Sequence, residues 1–136
     1  MTKVRSRRLA MAIAGMWATL TGAAPAHAPG LAALNGLEKG AWELHAREPG
    51  GTDINLCLGN PIQLLQVFHA GNQCTRYIIE DEAKVVTVHY SCPGAGHGRT
   101  TVRIETARLV QIHTQGIARG APFSLWMEGR RKGECR

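Results

Sequence analysis

The sequence predicts an all-β domain: an antiparallel meander of about seven strands, curled into an open sheet or a small barrel, with one short helix. Three observations lead to this prediction. Apolar and polar residues alternate along most of the chain after residue 38, as in half-buried strands. Turns that contain glycine or proline separate these segments. Four cysteines, Cys57, Cys74, Cys92 and Cys135, all lie in the same part of the chain, and an even number is typical of a disulfide-stapled exported domain.

The N-terminus has the three parts of a cleavable signal peptide, predicted over 1–26 with 1–28 as the alternative. Basic residues come first, then the apolar stretch LAMAIAGMWATL (9–20), then the small residues TGAAPAHA (21–28). The apolar stretch is shorter than a membrane span. The arginine pair in SRRLAM (6–11) also partly resembles a twin-arginine export signal, so the export route stays open. The predicted location is periplasmic or secreted, with no membrane anchor in the mature form.

The mature chain is expected to consist of a flexible segment, 27–38, and one β domain, 39–135. The full chain of 136 residues has a formal charge of +6, but four of its 16 Lys and Arg and none of its 10 Asp and Glu lie in the predicted signal peptide. The mature domain is therefore close to neutral, which argues against a nucleic-acid partner. The basic stretch GRRK (129–132) is interpreted as the solvated end of a strand.

The predicted strands and helix follow one another along the domain. KGAWELHARE (39–48) and TDINLCL (52–58) alternate and are expected to pair across the turn PGG between them. The one helix is predicted over about 60–70, because Asn60 can cap it and Pro61 suits its first turn. The remaining strands are predicted over 75–81, 84–92, 99–106, 109–115 and 122–129.

One set of registers places apolar residues opposite each other along the last five strands, as a one-faced antiparallel sheet requires. It pairs Ile78 with Val88, Val88 with Val102, Val86 with Ile104, Ile104 with Ile112, and Ile112 with Leu125. The predicted inner face consists of Ile78, Val86, Val88, Tyr90, Val102, Ile104, Val110, Ile112, Phe123, Leu125 and Met127.

The same pairing bears on the disulfides. Cys74 and Cys92 fall opposite each other across a hairpin, close enough to be linked. If the helix carries the chain from one end of the sheet to the other, Cys57 comes near Cys135, and the first and last strands become antiparallel neighbours that could close a barrel. The pairing Cys74–Cys92 with Cys57–Cys135 is therefore preferred. The alternative is Cys57–Cys74 with Cys92–Cys135.

Several of these features together resemble a bacterial family. They are the strand start G-x-W-E (40–43), a Cys-Leu followed by a Pro-led helix (57–61), two cysteines that flank a hairpin, and the ending G-R-x-x-G-E-C (129–135). Over residues 36–135 the chain is similar to the family catalogued as domain of unknown function 3617. The resemblance implies a small exported β protein with disulfides, and no activity. Many members have methionine-rich strands in the second half, where this chain has only Met127.

One group of residues has the ligand types of a zinc site. His89, Cys92 and His97 lie at or beside the glycine-rich stretch PGAGHG (93–98). Cys92 is expected to be oxidised, however, and His89 falls on the opposite face of their strand. No metal or other cofactor is therefore expected.

Catalytic groups are not indicated either. His45, His69 and His113 could act as general bases, but none accompanies a recognisable nucleophile motif, and they are interpreted as solvated side chains. The chain is therefore not expected to be an enzyme.

Three residues form the candidate binding surface: Trp126, Arg130 and Trp42. Trp126 alternates away from the inner-face residues of its strand, so it is either exposed or packed under the helix, whereas Trp42 also fits the core. The preferred function is a non-catalytic binding module that holds a small apolar molecule or lipid in the barrel mouth. The alternative is a protein-interaction or envelope-associated factor that acts through its surface, without a ligand pocket.

Overall fold

Seven antiparallel strands form one continuous sheet in the computed structural model, which describes residues 30–136. The strands are β1 (Gly40–Ala46), β2 (Ile54–Leu58), β3 (Thr75–Asp81), β4 (Val85–Cys92), β5 (Gly96–Thr106), β6 (Leu109–Ala118) and β7 (Ala121–Gly133). Two 3₁₀ helices, Ala32–Gly36 and Pro61–His69, complete the fold. The strand order is β2-β1-β7-β6-β5-β4-β3, and the predicted fold class is confirmed.

The sheet is open rather than closed into a barrel. β1 pairs antiparallel with β7, as predicted for the first and last strands, but β2 and β3 remain at the two edges. The chain from β2 to β3 passes through the helix Pro61–His69, which packs against β4, β5 and β6. This helix therefore covers the inner face of the sheet.

Both preferred disulfides are present. Cys57–Cys135 joins residues 78 positions apart and ties the end of the chain to the edge strand β2. Cys74–Cys92 joins residues 18 positions apart at the open end of the β3–β4 hairpin. The described residues contain no free cysteine.

The inner face was predicted correctly, but three of its registers were not. Ile78 does lie opposite Val88. From β4 onwards, each predicted pairing is shifted by two residues: Val102 lies opposite Val86 and Ile112, while Ile112 lies opposite Met127. Side chains alternate with a period of two, so a two-residue shift keeps every apolar side chain on the inner face. Hydrophobic alternation therefore defines the face of these strands and leaves their register open.

Turn geometry sets the observed registers. A two-residue turn, Arg119 and Gly120, joins β6 to β7, and both residues have positive φ, at 50° and 79°. Such turns match the twist of a hairpin. Half of the glycine-rich stretch 93–98 belongs to a strand, because β5 already begins at Gly96. Gly98 is required there, since a Cβ on it would lie 2.5 Å from the Tyr90 hydroxyl oxygen.

The helix forms as predicted and supplies part of the core. The Asn60 side chain accepts a hydrogen bond from the backbone of Ile62, and Gln63 completes a capping box. Leu64 and Leu65 are completely buried against the sheet. The fully buried side chains around them include Leu44, Leu58, Val86, Val88, Tyr90, Val102, Val110 and Ile112.

The N-terminal part of the domain differs from the expectation of a flexible segment. Leu31, Leu34 and Leu37, in and around the helix Ala32–Gly36, are buried in the same core. The predicted signal peptide and both of its cleavage positions lie outside the described residues. No helix between residues 30 and 136 is long and apolar enough to cross a membrane.

Candidate functional site

An exposed tryptophan lies near the middle of β7 on the outer face of the sheet, the face opposite the helix. The Trp126 side chain points away from Leu125 and Met127 and is 52% exposed. Its neighbour across the strands is His113, and the two rings stack with centroids 4.0 Å apart and an angle of 11° between their planes. Of the two positions predicted for Trp126, the exposed one is therefore observed.

The backbone of Trp126 is held by the chain that follows β1. Its N–H donates to the Glu48 carboxylate at 2.9 Å, and its carbonyl accepts from the Arg47 N–H at 2.9 Å. The other Glu48 carboxylate oxygen is buried and has no partner among the described residues. The tryptophan ring is thus presented on a fixed backbone.

Arg130 lies on the same face but is already engaged. Its Nε donates to Glu128 Oε1 at 2.6 Å. Glu128 also accepts from Gln111 at 3.2 Å and lies 3.6 Å from Arg47. The hydrogen bonds from Gln111 and Arg130 lower the pKa of the Glu128 carboxyl. Arg130 is therefore part of a polar network beside Trp126, which we call the Glu128 network: Glu128, Gln111, Arg47 and Arg130.

An exposed histidine of β1 and an exposed aspartate just before β2 extend this surface. His45, on β1, lies opposite Glu128 of β7. The His45 Nδ1 lies 3.0 Å from Asp53 Oδ2. The hydrogen bond with Asp53 raises the pKa of His45, and the same bond lowers the pKa of Asp53. The region around Trp126 therefore contains charges of both signs in fixed positions.

Trp42 does not belong to this surface, which corrects its inclusion among the candidate binding residues. It is 1% exposed, and its indole N–H donates to the Glu38 carbonyl oxygen at 2.9 Å. The alternation of β1 places it on the inner face with Leu44. Its role is in the core.

The basic stretch at the end of the chain is mostly paired within the domain. Arg131 is half-buried, donates to the Lys39 carbonyl oxygen at 2.7 Å and forms ion pairs with Glu38 and Glu134. Lys132 lies 3.9 Å from Glu43. These contacts support the interpretation of GRRK as a strand end.

The histidines and cysteine considered as zinc ligands do not converge. Cys92 is on the inner face in a disulfide, whereas His89 and His97 are on the outer face with ring centroids 6.0 Å apart. Arg99 lies directly opposite His89 and contributes a positive charge there. Within residues 30–136, no group of three or more His, Cys, Asp or Glu could hold a metal ion.

His69 was interpreted as solvated, and this is wrong. It is 2% exposed, its Nδ1 lies 3.0 Å from the Tyr90 hydroxyl, and its Nε2 lies 3.2 Å from the carbonyl oxygens of Ala95 and Ile117. Nε2 faces only acceptors and must carry a hydrogen, so Nδ1 is the ring nitrogen that can accept the Tyr90 hydroxyl hydrogen. Burial raises the pKa of Tyr90, which keeps this hydroxyl protonated. His69 fastens the end of the helix to the sheet.

The sequence did not reveal that His113 is the stacking partner of Trp126. The predicted β6–β7 register placed Gln111 there. A two-residue turn at Arg119 and Gly120 fixes the true register, so the turn was the signal that could have identified the pair.

A groove of about 200 Å³, lined by both apolar and amide side chains, lies between β2 and the helix Pro61–His69. Ile54 and Leu56 of β2 face Val67 of the helix across it. This groove is the nearest equivalent of the predicted barrel mouth.

The whole chain was compared with known proteins in three ways. No protein-family profile, no curated protein and no solved structure matches it.

Proposed function

We propose that this domain is a non-catalytic interaction module that binds a partner protein through the outer face of its sheet, with Trp126 as the anchor. The observation that carries the proposal is the half-exposed indole, stacked on His113 in the middle of a β-strand. Tryptophan and arginine are enriched among the residues that dominate binding energies. A large aromatic side chain that stays exposed on a rigid strand is a candidate for such a residue.

Pre-organisation supports this role. The stack with His113 restricts the indole, and the hydrogen bonds to Glu48 and from Arg47 hold its backbone. A ring that is already ordered loses little conformational freedom on binding. The Glu128 network beside it supplies fixed polar groups of both signs, which suit the polar rim of a protein interface.

The filling of the inner face also favours a surface. Helix residues Leu64 and Leu65 occupy it without any exposure, and the groove beside β2 measures about 200 Å³. Pockets for drug-sized ligands usually measure about 300–1,000 Å³. Clefts of the described domain that reach this size, such as one of about 520 Å³ beside Cys135, are open to solvent on the surface. A partner protein needs no such volume.

We further propose that the module works in the periplasm or outside the cell. The two disulfides are compatible with an oxidising compartment. The leader features of residues 1–26 support export, and the motifs from residue 36 to 135 support membership in the family of unknown function named above.

Replacing Trp126 by alanine is expected to abolish partner capture without unfolding the domain. The test is cross-linking in the cells that make the protein, with a photoreactive residue at Ser124, an exposed outer-face position of β7 two residues from Trp126, and identification of the protein that is captured. Tyr77→Ala is the matched control, because Tyr77 is also an exposed aromatic on the outer face, four strands away.

Capture of one partner that is lost in Trp126→Ala and retained in Tyr77→Ala supports the proposal. Equal capture by wild type and Trp126→Ala contradicts it. Thermal unfolding of both variants shows whether the domain itself is intact, since neither side chain is in the core.

A second candidate function is the binding of a small apolar molecule in the groove between β2 and the helix. The apolar side chains of Ile54, Leu56 and Val67 along this groove support it. A ligand that fits must be small, because the groove measures only about 200 Å³.

A further inference from the structure

The edge strand β3 is the most exposed apolar part of the described chain. Tyr77 is 73% exposed and Ile79 is 44% exposed, and Trp126 is the only other large apolar side chain so exposed between residues 30 and 136. Apart from its ladder with β4, β3 makes no backbone hydrogen bond to described residues. Its outer edge therefore presents donors and acceptors that a further strand can pair with.

The charges on β3 are arranged with opposite signs at its two ends. The strand reads TRYIIED, with Arg76 near its start and Glu80 and Asp81 at its end. None of these three side chains forms an ion pair within the described domain. Two antiparallel copies of β3 bring each positive end beside a negative end, whereas two parallel copies bring like charges together.

An antiparallel pairing of two β3 strands also brings the opposite charges together on the same face of the sheet. Arg76 lies opposite Tyr90 and Asp81 opposite Val86, so both charged residues occupy inner-face positions. A β-bulge at Ile79 turns Glu80 to the outer face, where it accepts from Thr87 at 2.9 Å. The register that respects this bulge places Arg76 of each copy opposite Asp81 of the other, with Ile78 and Ile79 facing each other between them.

We propose that β3 is a self-association edge, through which two copies of this chain pair antiparallel into a continuous fourteen-stranded sheet. The occupant is a second copy because the strand is complementary to itself in charge and in its apolar centre. The contact is one strand wide and interrupted by a bulge, so it is a weak interface of less than about 1,200 Å². It is separate from the Trp126 surface and leaves that surface accessible in both copies.

The test is sedimentation of the mature, disulfide-intact protein from micromolar to millimolar concentration. Wild type is expected to pass from monomer to dimer in this range. Arg76→Asp is expected to weaken the association at least about tenfold, since it places like charges opposite each other. Asp81→Arg is expected to do the same, and an equimolar mixture of the two variants is expected to regain a dimer.

The control is Arg99→Asp, which reverses an exposed arginine of β5 that forms no ion pair in the described domain and lies away from the edge. A protein that stays monomeric at millimolar concentration overturns the proposal, and so does a dimer that Arg76→Asp leaves unchanged. The Arg76 side chain forms one hydrogen bond in the described domain, to the half-buried Gln66 at 3.0 Å, so Arg76→Asp is expected to fold. This test stands even if Asp81→Arg, which removes the bond from the Leu31 N–H, does not fold.

Discussion

Replacing Cys57 and Cys135 together by serine is expected to lower the free energy of unfolding by about 4.5 kcal/mol in the loop-entropy description of a disulfide that spans 78 positions. The effect is large because domains of this size are stable by only about 5–15 kcal/mol. Cys57 and Cys135 are exposed, so little packing is lost and the change reports mainly on chain entropy. Urea unfolding at equilibrium measures it.

The matched variant replaces Cys74 and Cys92. Its loop spans 18 positions, which predicts a loss of about 3 kcal/mol from loop closure. Cys92 is buried in the core, so its replacement adds a packing cost. A Cys57/Cys135 variant with the stability of wild type would show that this link does not hold the end of the chain in solution.

The second large effect is expected at the buried histidine. His69→Ala is expected to cost about 3 kcal/mol, because it leaves the Tyr90 hydroxyl and the carbonyl oxygens of Ala95 and Ile117 with fewer partners and creates a cavity between helix and sheet. Tyr90→Phe removes one of these bonds and is expected to cost about 1–2 kcal/mol.

A double-mutant cycle tests whether the two residues act together. His69 and Tyr90 share a hydrogen bond, so the double variant is expected to lose less than the sum of the two single variants, by about 0.5–3 kcal/mol. Denaturant unfolding of the four proteins gives the coupling. Strict additivity would mean that the bond contributes nothing to stability.

The β6–β7 hairpin shows how far the sequence alone leads. Alternation along β7 was enough to place Leu125 and Met127 inside and Trp126 outside. It could not tell which residue of β6 lies opposite Trp126, since a shift of two residues leaves all faces unchanged. The tight turn at Arg119 and Gly120 contains this information, but a two-residue loop is difficult to distinguish from a strand by hydrophobic pattern.

His69 shows a different limit. Its position near the end of a short amphipathic helix gave no indication that it is buried, because burial requires the glycines of β5 and β6 to bring the two strands close to the helix. Gly96 has Ile117 and His69 so near that a Cβ there would overlap both. Long-range contacts of this kind depend on three segments at once, so no local pattern predicts them.

The disulfides were predictable because they depend on topology more than on local detail. Cys74 and Cys92 bracket a hairpin in which the predicted pairing of Ile78 with Val88 is correct. Cys57 and Cys135 meet because β1 and β7 are neighbours, which followed from the helix that joins the two edges of the sheet. Closure into a barrel did not follow, since the same helix occupies the inner face.

The most direct test of a surface-acting module is native mass spectrometry of the mature protein, purified gently from the compartment to which it is exported. We expect the mass of the bare chain with two disulfides and no bound small molecule, because Leu64 and Leu65 fill the inner face. A stoichiometric small molecule that is released on denaturation would contradict this function and would identify the groove beside β2 as the first site to mutate.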